Sequence, residues 1–257
     1  MDIRLLFIAG LLGGALNSIA GGGTFITFPA LVFAGVPPIA ANATNTFSSF
    51  AGYLSGAYAF RAEMASHKKT AVLIAIASLV GGSIGAYLLL NIEEREFNNV
   101  IPWLMLFATL MFIYGSQIGG YLKKLSTKSS KTEYMWLAFL GILFLLVAIY
   151  GGFFNAGLGI ITLSYLVLAG FNNINLMNGL KLLVSCFVSI IAIAIFIAND
   201  LIAWYEGTVV MLGALVGGYY SAILSTRLSQ ATIRKVVIVI SVGTTAYFFV
   251  QAISDLI

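Results

Sequence analysis

The stretch NINLMNGLKLLVSCFVSIIAIAIFIA, residues 173–198, contains a single charged residue, Lys181. An ionisable side chain inside an apolar span is costly, and it indicates either a functional group or a lysine that snorkels to the membrane surface. A helix that begins near Asn175 would place the Lys181 backbone roughly 9 Å inside the span. Two interpretations follow, a cation that faces an anion site or an interfacial lysine.

A second polar cluster, ANATNTFSSF at 41–50, lies at the start of another apolar span and aligns with NGLKLLVSC at 178–186. In this alignment Lys181 takes the place of Asn45, and Asn178 takes the place of Asn42. The candidate binding residues here are Asn42, Thr44, Asn45, Thr46, Asn178 and Lys181. The alternative is that the asparagines hold helices together by hydrogen bonds.

Glycines interrupt the chain at GGG (21–23) and again at GLG (157–159). If each break lies inside the membrane, a short helix starts there, at about Thr24 and Ile160. The first N–H groups of a helix lack partners and carry partial positive charge, so they bind anions. This predicts binding residues at Asn17, Gly21, Gly22, Gly23, Thr24, Asn155, Gly157 and Gly159. The alternative is that the glycines only permit close packing or a kink.

These segments belong to an unusually apolar chain. Of 257 residues 60% are hydrophobic and 9% are charged, and the mean hydropathy is +1.02, which indicates an α-helical polytopic membrane protein. The apolar runs lie at about 4–35, 39–60, 70–90, 100–121, 136–170, 179–198, 207–226 and 236–253. No motif for nucleotide binding, metal binding or nucleophilic catalysis occurs, so we expect no enzyme activity, no catalytic residue, no metal and no cofactor.

The two halves of the chain resemble each other. An offset of 136 residues aligns Gly21, Gly23 and Asn42 with their second-half equivalents, and LLGGALN matches IYGGFFN at an offset of 138. A tandem duplication is therefore predicted, with a first repeat at 1–121, a linker at 122–135 and a second repeat at 136–257.

The charges of the loops predict that the repeats are inverted. Loop 61–69 is basic and its counterpart 197–205 is not, whereas loop 91–99 is acidic and its counterpart 227–235 is basic. Because lysine and arginine favour the cytoplasmic side, equivalent loops should lie on opposite sides of a cytoplasmic (inner) membrane. Ten of the 13 basic residues then lie in cytoplasmic segments, including the linker, and both termini lie outside.

An inverted repeat needs an odd number of crossings in each half, yet four apolar segments are visible. A glycine-broken helical hairpin, re-entrant or fully crossing, resolves this count. The predicted fold is an all-α polytopic membrane protein with two inverted repeats, each a glycine-broken hairpin plus three transmembrane helices. The alternative is a tilted, kinked single helix in place of each hairpin.

GGALNSIAGGGTFITFPALVFAGVPP followed by NATNT, and GGFFNAGLGIITLSYLVLAG followed by NGLKLL, resemble the TauE/SafE family of membrane permeases. The second half departs from the family pattern at Asn155 and at Ser164 and Tyr165. The resemblance extends over nearly the whole chain and implies transport of small sulfur oxyanions or organic anions such as sulfite and sulfoacetate, without ATP.

The sequence therefore predicts a secondary transporter for a small anion that works by alternating access. The alternatives are a passive anion channel, a transporter of another organic anion such as a carboxylate, and a scaffold without transport. The expected partners are the anion, the lipid bilayer and, as an option, a second copy of the chain; nucleic acid is not expected.

Overall fold

The computed structural model describes residues 3–125, 130–224 and 230–254. Every regular element in these ranges is an α-helix: α1 (Ile3–Ala20), α2 (Thr24–Phe33), α3 (Pro38–Ala59), α4 (Arg61–Ala65), α5 (Lys68–Leu90), α6 (Glu94–Leu125), α7 (Ser130–Phe153), α8 (Leu158–Leu168), α9 (Ile174–Ala198), α10 (Trp204–Leu224) and α11 (Gln230–Ser254). Five of these helices, α5, α6, α7, α9 and α11, contain segments long and apolar enough to cross a membrane. The predicted all-helical, multi-pass class is confirmed.

Several helix boundaries differ from the predicted loops. The short helix α4 occupies most of the predicted loop 61–69, and α6 already begins at Glu94 inside the predicted loop 91–99. Acidic residues in the first turn of α6 favour this early start because they complement the helix dipole. The predicted linker overlaps the ends of α6 and α7. Residues 126–129 of that linker, 225–229 with Arg227, and the two chain ends lie outside the described residues.

Local sequence explains where the polar helices begin. Pro38 stands at the first position of α3, where a missing N–H costs nothing. The side chain of Asn173 caps α9 by accepting from the backbone N–H groups of Asn175 and Leu176. These two helix starts place the polar residues that follow at the same distance from the first residue of α3 and of α9.

Helices of the two halves share one register. The residues that begin α3, α5 and α6 are each 136 positions before those that begin α9, α10 and α11. The hydroxyl groups of Thr109 and Thr245, also 136 residues apart, are 3.0 Å from each other. This contact joins α6 and α11 at positions that the offset of 136 makes equivalent.

Counterpart helices run in opposite directions. Gly56, near the end of α3, packs on Leu182 of α9, whereas Phe60, one turn later, packs on the earlier Gly179. In the pair α6 and α11, Thr109 lies beside Thr245 and the earlier Trp103 makes an edge-to-face contact with the later Phe249.

Glycines join the halves by close backbone packing. In α1, Gly14 lies against the backbone of Ala214 of α10, and in α5, Gly85 lies against the backbone of Ile149 of α7. The two helix pairs are equivalent to each other, because α7 corresponds to α1 and α5 corresponds to α10. Small residues allow this approach where lipid provides no hydrophobic driving force.

Candidate functional site

The two helix breaks have the same backbone conformation. Gly21 has a φ of 79° and Gly157, 136 residues later, has a φ of 73°. Only glycine adopts this left-handed region without strain, so both positions need a residue without a side chain. The following helices begin at Thr24, as predicted, and at Leu158, two residues before the expected Ile160.

The two breaks lie close to each other in space. A Cβ atom built on Gly21 would be 3.9 Å from Cγ1 of Ile160, in the first turn of α8. Gly22 packs against the side chain of Val237 of α11. The starts of α2 and α8 therefore approach a common region, as the anion-site hypothesis requires.

In the first half, Asn45 ties α3 to the short helix α2. Its Oδ1 accepts a hydrogen bond from the hydroxyl of Thr27, and its Nδ2 lies 3.5 Å from the hydroxyl of Thr24. All three side chains are buried. The predicted pair Thr24 and Asn45 is thus brought together at the start of the broken helix.

In the second half, the equivalent Lys181 lies on the equivalent helix. Lys181 is 7% exposed, and a Cβ built on Gly159 would be 3.3 Å from its Cδ. Within the described residues, no carboxylate lies within ion-pair distance of Lys181. The sequence also has no Asp or Glu between Glu133 and Asp200. The lysine therefore combines burial, a helix start and the lack of an anionic partner in the described structure.

Three other predicted residues form bonds between or within helices. Asn42 donates to the backbone carbonyl of Phe153 at the end of α7, at 2.9 Å, and its buried Oδ1 has no partner in the described structure. Thr44 accepts from the backbone N–H of Ala203 at 2.9 Å, and Thr46 donates back to the carbonyl of Asn42. Asn178 is half-buried.

A cavity of about 520 Å³ reaches into the protein between α1, α2, α3 and α10. Its inner end is polar, and its rim includes the exposed residues Ala59 and Tyr219, near the C-terminal ends of α3 and α10. None of the residues that line it is charged. The lining residues are Gly13, Gly14, Asn17, Gly23, Thr27, Ser48, Ser49, Gly52, Tyr53, Ser55, Gly56, Ala59, Phe60, Leu182, Val210, Ala214, Leu215, Gly218 and Tyr219.

Of the predicted site residues, only Asn17 and Gly23 line this cavity. Sequence reasoning missed its polar wall on α3, which includes Ser49 and Tyr53. A signal was present, because small and polar residues follow Asn45 at helical spacing, along one face of α3 to Gly56. Lys181 does not line the cavity, although its neighbour Leu182 does.

Tyr53 connects the cavity to the second helix break. Its hydroxyl donates to Oδ1 of Asn155 at 3.3 Å, and Nδ2 of Asn155 donates to the hydroxyl of Ser189 at 3.3 Å. Asn17, the counterpart of Asn155 at the offset of 138, lines the same cavity as Tyr53. One tyrosine thus lies near the equivalent asparagines of the two helix breaks.

The polar groups of this site are suited to binding a ligand. Hydroxyl and amide groups at the cavity end can donate hydrogen bonds, and the buried lysine supplies a positive charge nearby. Within the described residues, no group of three or more histidine, cysteine, aspartate or glutamate side chains could hold a metal ion.

Comparison with known proteins gives a consistent assignment. The family model described as "Sulfite exporter TauE/SafE" matches residues 6–248. The "Probable membrane transporter protein" of Haemophilus influenzae is 30% identical over 246 residues, which cover 95% of this chain and 93% of the relative. The "Probable membrane transporter protein YfcA" of Escherichia coli K12 is 29% identical over 241 residues, covering 93% and 86%. No solved structure matches.

Proposed function

The chain belongs to the TauE/SafE family and is a membrane transporter, and we propose that it carries a small anion as a secondary transporter. The preferred substrate class is a sulfur oxyanion or organosulfonate, such as sulfite or sulfoacetate. The family description and the chemistry of the site support this choice of class. Related proteins named as membrane transporters agree with a function that is not enzymatic.

The proposal rests on one observation, the close contact of the Lys181 side chain with Gly159. Lys181 is only 7% exposed, and a charge withdrawn from water without an opposite charge beside it is unfavourable by several kcal/mol. A bound anion would offset this cost and would also meet the N–H groups at the start of α8. The hydroxyl groups at the end of the cavity are suited to the oxygens of such an anion.

Alternating access is the proposed mechanism. The shared offset of 136 residues and the opposite directions of α3 and α9 support two inverted repeats, which would rock around a central site. The cavity opens at the end of α3 that leads into the basic segment 61–69. By the charge rule this side is cytoplasmic, the predicted linker 122–135 lies on it, and both termini lie outside a cytoplasmic membrane.

A thermal-shift screen of the purified full-length protein tests the proposal. The anions are sulfite, sulfate, thiosulfate, sulfoacetate, taurine and acetate. A ligand present at about 100 times its Kd should stabilise the folded protein by about 2.7 kcal/mol. Lys181→Met should remove most of this shift, whereas Lys68→Met, at an exposed lysine outside the site, should keep it.

Two results would contradict the proposal. An equal anion-dependent shift in a folded Lys181→Met variant would remove the lysine from the site. In proteoliposomes, flux without saturation and far above carrier rates would indicate a channel instead. A shift with acetate alone would move the substrate class to carboxylates.

A further inference from the structure

The cavity has a counterpart in the second half that is closed in this structure. The lining residues can be transferred by the offset of 136, or 138 for α1. Gly13, Gly14 and Asn17 then correspond to Gly151, Gly152 and Asn155, and the remaining identical pairs are Gly23 with Gly159, Ser49 with Ser185, Phe60 with Phe196, Leu215 with Leu79, and Gly218 with Gly82. Part of the lining of the open cavity is therefore repeated at the equivalent positions, whereas Ser48, Gly52 and Ser55 are replaced by Val184, Val188 and Ile191.

In the first half, α10 and α3 contact each other at Gly207, where the Ser48 hydroxyl donates to its backbone carbonyl at 2.9 Å, but they leave a space farther along, at Gly52 and Gly218. A Cβ built on Gly218 of α10 would find its nearest neighbour, the carbonyl oxygen of Gly14 in α1, at 3.8 Å. A Cβ built on Gly52 of α3 would meet no atom within 4 Å. Both glycines line the cavity, so the space between these two helices is the cavity itself.

The equivalent helices of the other half are in contact. Gly82 of α5 corresponds to Gly218, and Val188 of α9 corresponds to Gly52. A Cβ built on Gly82 would lie 3.0 Å from Cα of Val188 and 3.0 Å from Cγ2 of Ile191. Phe196, the counterpart of Phe60 at the cavity rim, is fully buried. The same pair of surfaces is thus separated in one half and packed together in the other.

A buried polar atom remains without a partner in the closed half. Ser78, the counterpart of the cavity-lining Ala214, is fully buried, and its hydroxyl has no hydrogen bond in the described structure. A buried hydroxyl without a hydrogen bond is unfavourable, because it has lost its water partners. Its exposure to water in another state would remove this cost.

Lys181 lies in the second half, beside the helices that are packed together. It packs on Gly159, which corresponds to the cavity-lining Gly23. Separation of α5 from α9 would uncover this glycine and bring the lysine beside the space that opens. The first half has the neutral Asn45 at the equivalent position, so the two sides differ in charge.

We propose that α5 and α9 separate to form a second anion-binding cavity, which opens to the opposite face and has Lys181 as its cation. The proposal rests on the proposed transport function and names the site of its other state. The ligand class is a small oxyanion or sulfonate. In the structure described here this cavity is closed and the first one is open.

Cysteine labelling with a membrane-impermeant maleimide tests this cavity. The single native cysteine, Cys186, is first replaced by alanine in the full chain. Ser49→Cys and Ser185→Cys then form a matched pair, with the same substitution at equivalent positions. Ala65→Cys in α4 and Asn199→Cys at the opposite end of the bundle mark the two faces, since both residues are exposed. Intact cells and inside-out vesicles present opposite faces to the reagent.

Ser49→Cys should react from the face marked by Ala65→Cys. Ser185→Cys, and likewise Ser78→Cys, should react more than about tenfold faster from the face marked by Asn199→Cys, because only the alternative state exposes them. Reaction of both members of the pair from the same face would overturn the proposal. The proposal would also be overturned if Ser185→Cys and Ser78→Cys stayed unreactive during many cycles of measured uptake.

Protection of the introduced cysteine by a bound anion tests the ligand class and the role of Lys181. Saturating sulfoacetate or sulfate should slow the labelling of Ser185→Cys, and Lys181→Met should remove this protection. Failure of both anions to protect would overturn the anion assignment, and unchanged protection in a folded Lys181→Met variant would overturn the role of the lysine. Uptake of labelled sulfate and sulfite by the same proteins is scored separately. Absence of any saturable uptake would refute the transport function, whatever the labelling pattern.

Discussion

Gly52 provides the sharpest test that the cavity is the transport path. It lines the cavity, and a Cβ at this position would meet no atom within 4 Å. In Gly52→Leu the new side chain should extend into the cavity without displacing protein atoms. An anion would then have to share a space that is already partly filled.

The expected size of the effect follows from packing. Overfilling a packed site costs about 1–3 kcal/mol, which corresponds to about a 5- to 150-fold loss in binding. The fold itself should not suffer, because replacing a helical glycine with leucine favours the helix by up to about 1 kcal/mol. The melting temperature should therefore stay equal or rise by about 2–4 °C.

The assay is uptake of labelled sulfite and sulfoacetate into proteoliposomes, with thermal unfolding in detergent as the measure of stability. Gly141→Leu is the matched control, since Gly141 is a helical glycine with no atom within 4 Å of a built Cβ and does not line the cavity. Both variants should be stable, and only Gly52→Leu should transport slowly. Equal uptake by wild type, Gly52→Leu and Gly141→Leu would refute the assignment of this cavity as the path.

Three further substitutions probe packing and hydrogen bonding. In Gly85→Ala the new Cβ would overlap the backbone of Ile149, so thermal unfolding should move down by about 6–12 °C, equivalent to about 3 kcal/mol. Asn45→Ala removes the partner of Thr27 and should destabilise the protein by about 1–3 kcal/mol in the same measurement. Tyr53→Phe removes a hydroxyl at the end of the cavity, and the sulfoacetate concentration for half-maximal thermal shift should rise about fivefold.

Each of these predictions has a control at a less constrained position. Gly243→Ala has no atom within 4 Å of the new Cβ and should not lower the melting temperature. Asn98→Ala and Tyr87→Phe change exposed side chains and should leave stability and anion response almost unaffected. If a control behaved like its partner, the contact named for that partner would not be the cause.

Much of the fold could be predicted from local patterns. Apolar runs of about 20 residues identify membrane helices, because lipid imposes both length and composition on them. The breaks were predicted from the glycine runs at 21–23 and 157–159, and the structure adds that Gly21 and Gly157 take left-handed conformations. The loop boundaries were less accurate, since α4 and the first turn of α6 begin within segments that the charge pattern marked as loops.

The candidate site was predicted only in part. The pairing of Thr24 with Asn45 and of Gly159 with Lys181 connects residues that the sequence had already singled out. The role of Tyr53 was not predicted, because a tyrosine in an apolar span is common at membrane helices and its position near Asn17 and Asn155 depends on three helices. Which polar residues line a cavity and which join helices also depends on distances that no local pattern contains.

The sequence alone determined the helical membrane class and predicted the duplication and the glycine breaks, because each depends on residue type and spacing along the chain. The tertiary structure decided that the surface between α3 and α10 encloses a cavity. Gly52 and Gly218 lie on either side of a cavity, whereas their counterparts Val188 and Gly82 pack together. The two halves differ in residue type here, since Val188 and Ile191 replace Gly52 and Ser55, but how closely α10 and α5 pack against α3 and α9 is a property of the whole assembly that no local pattern contains.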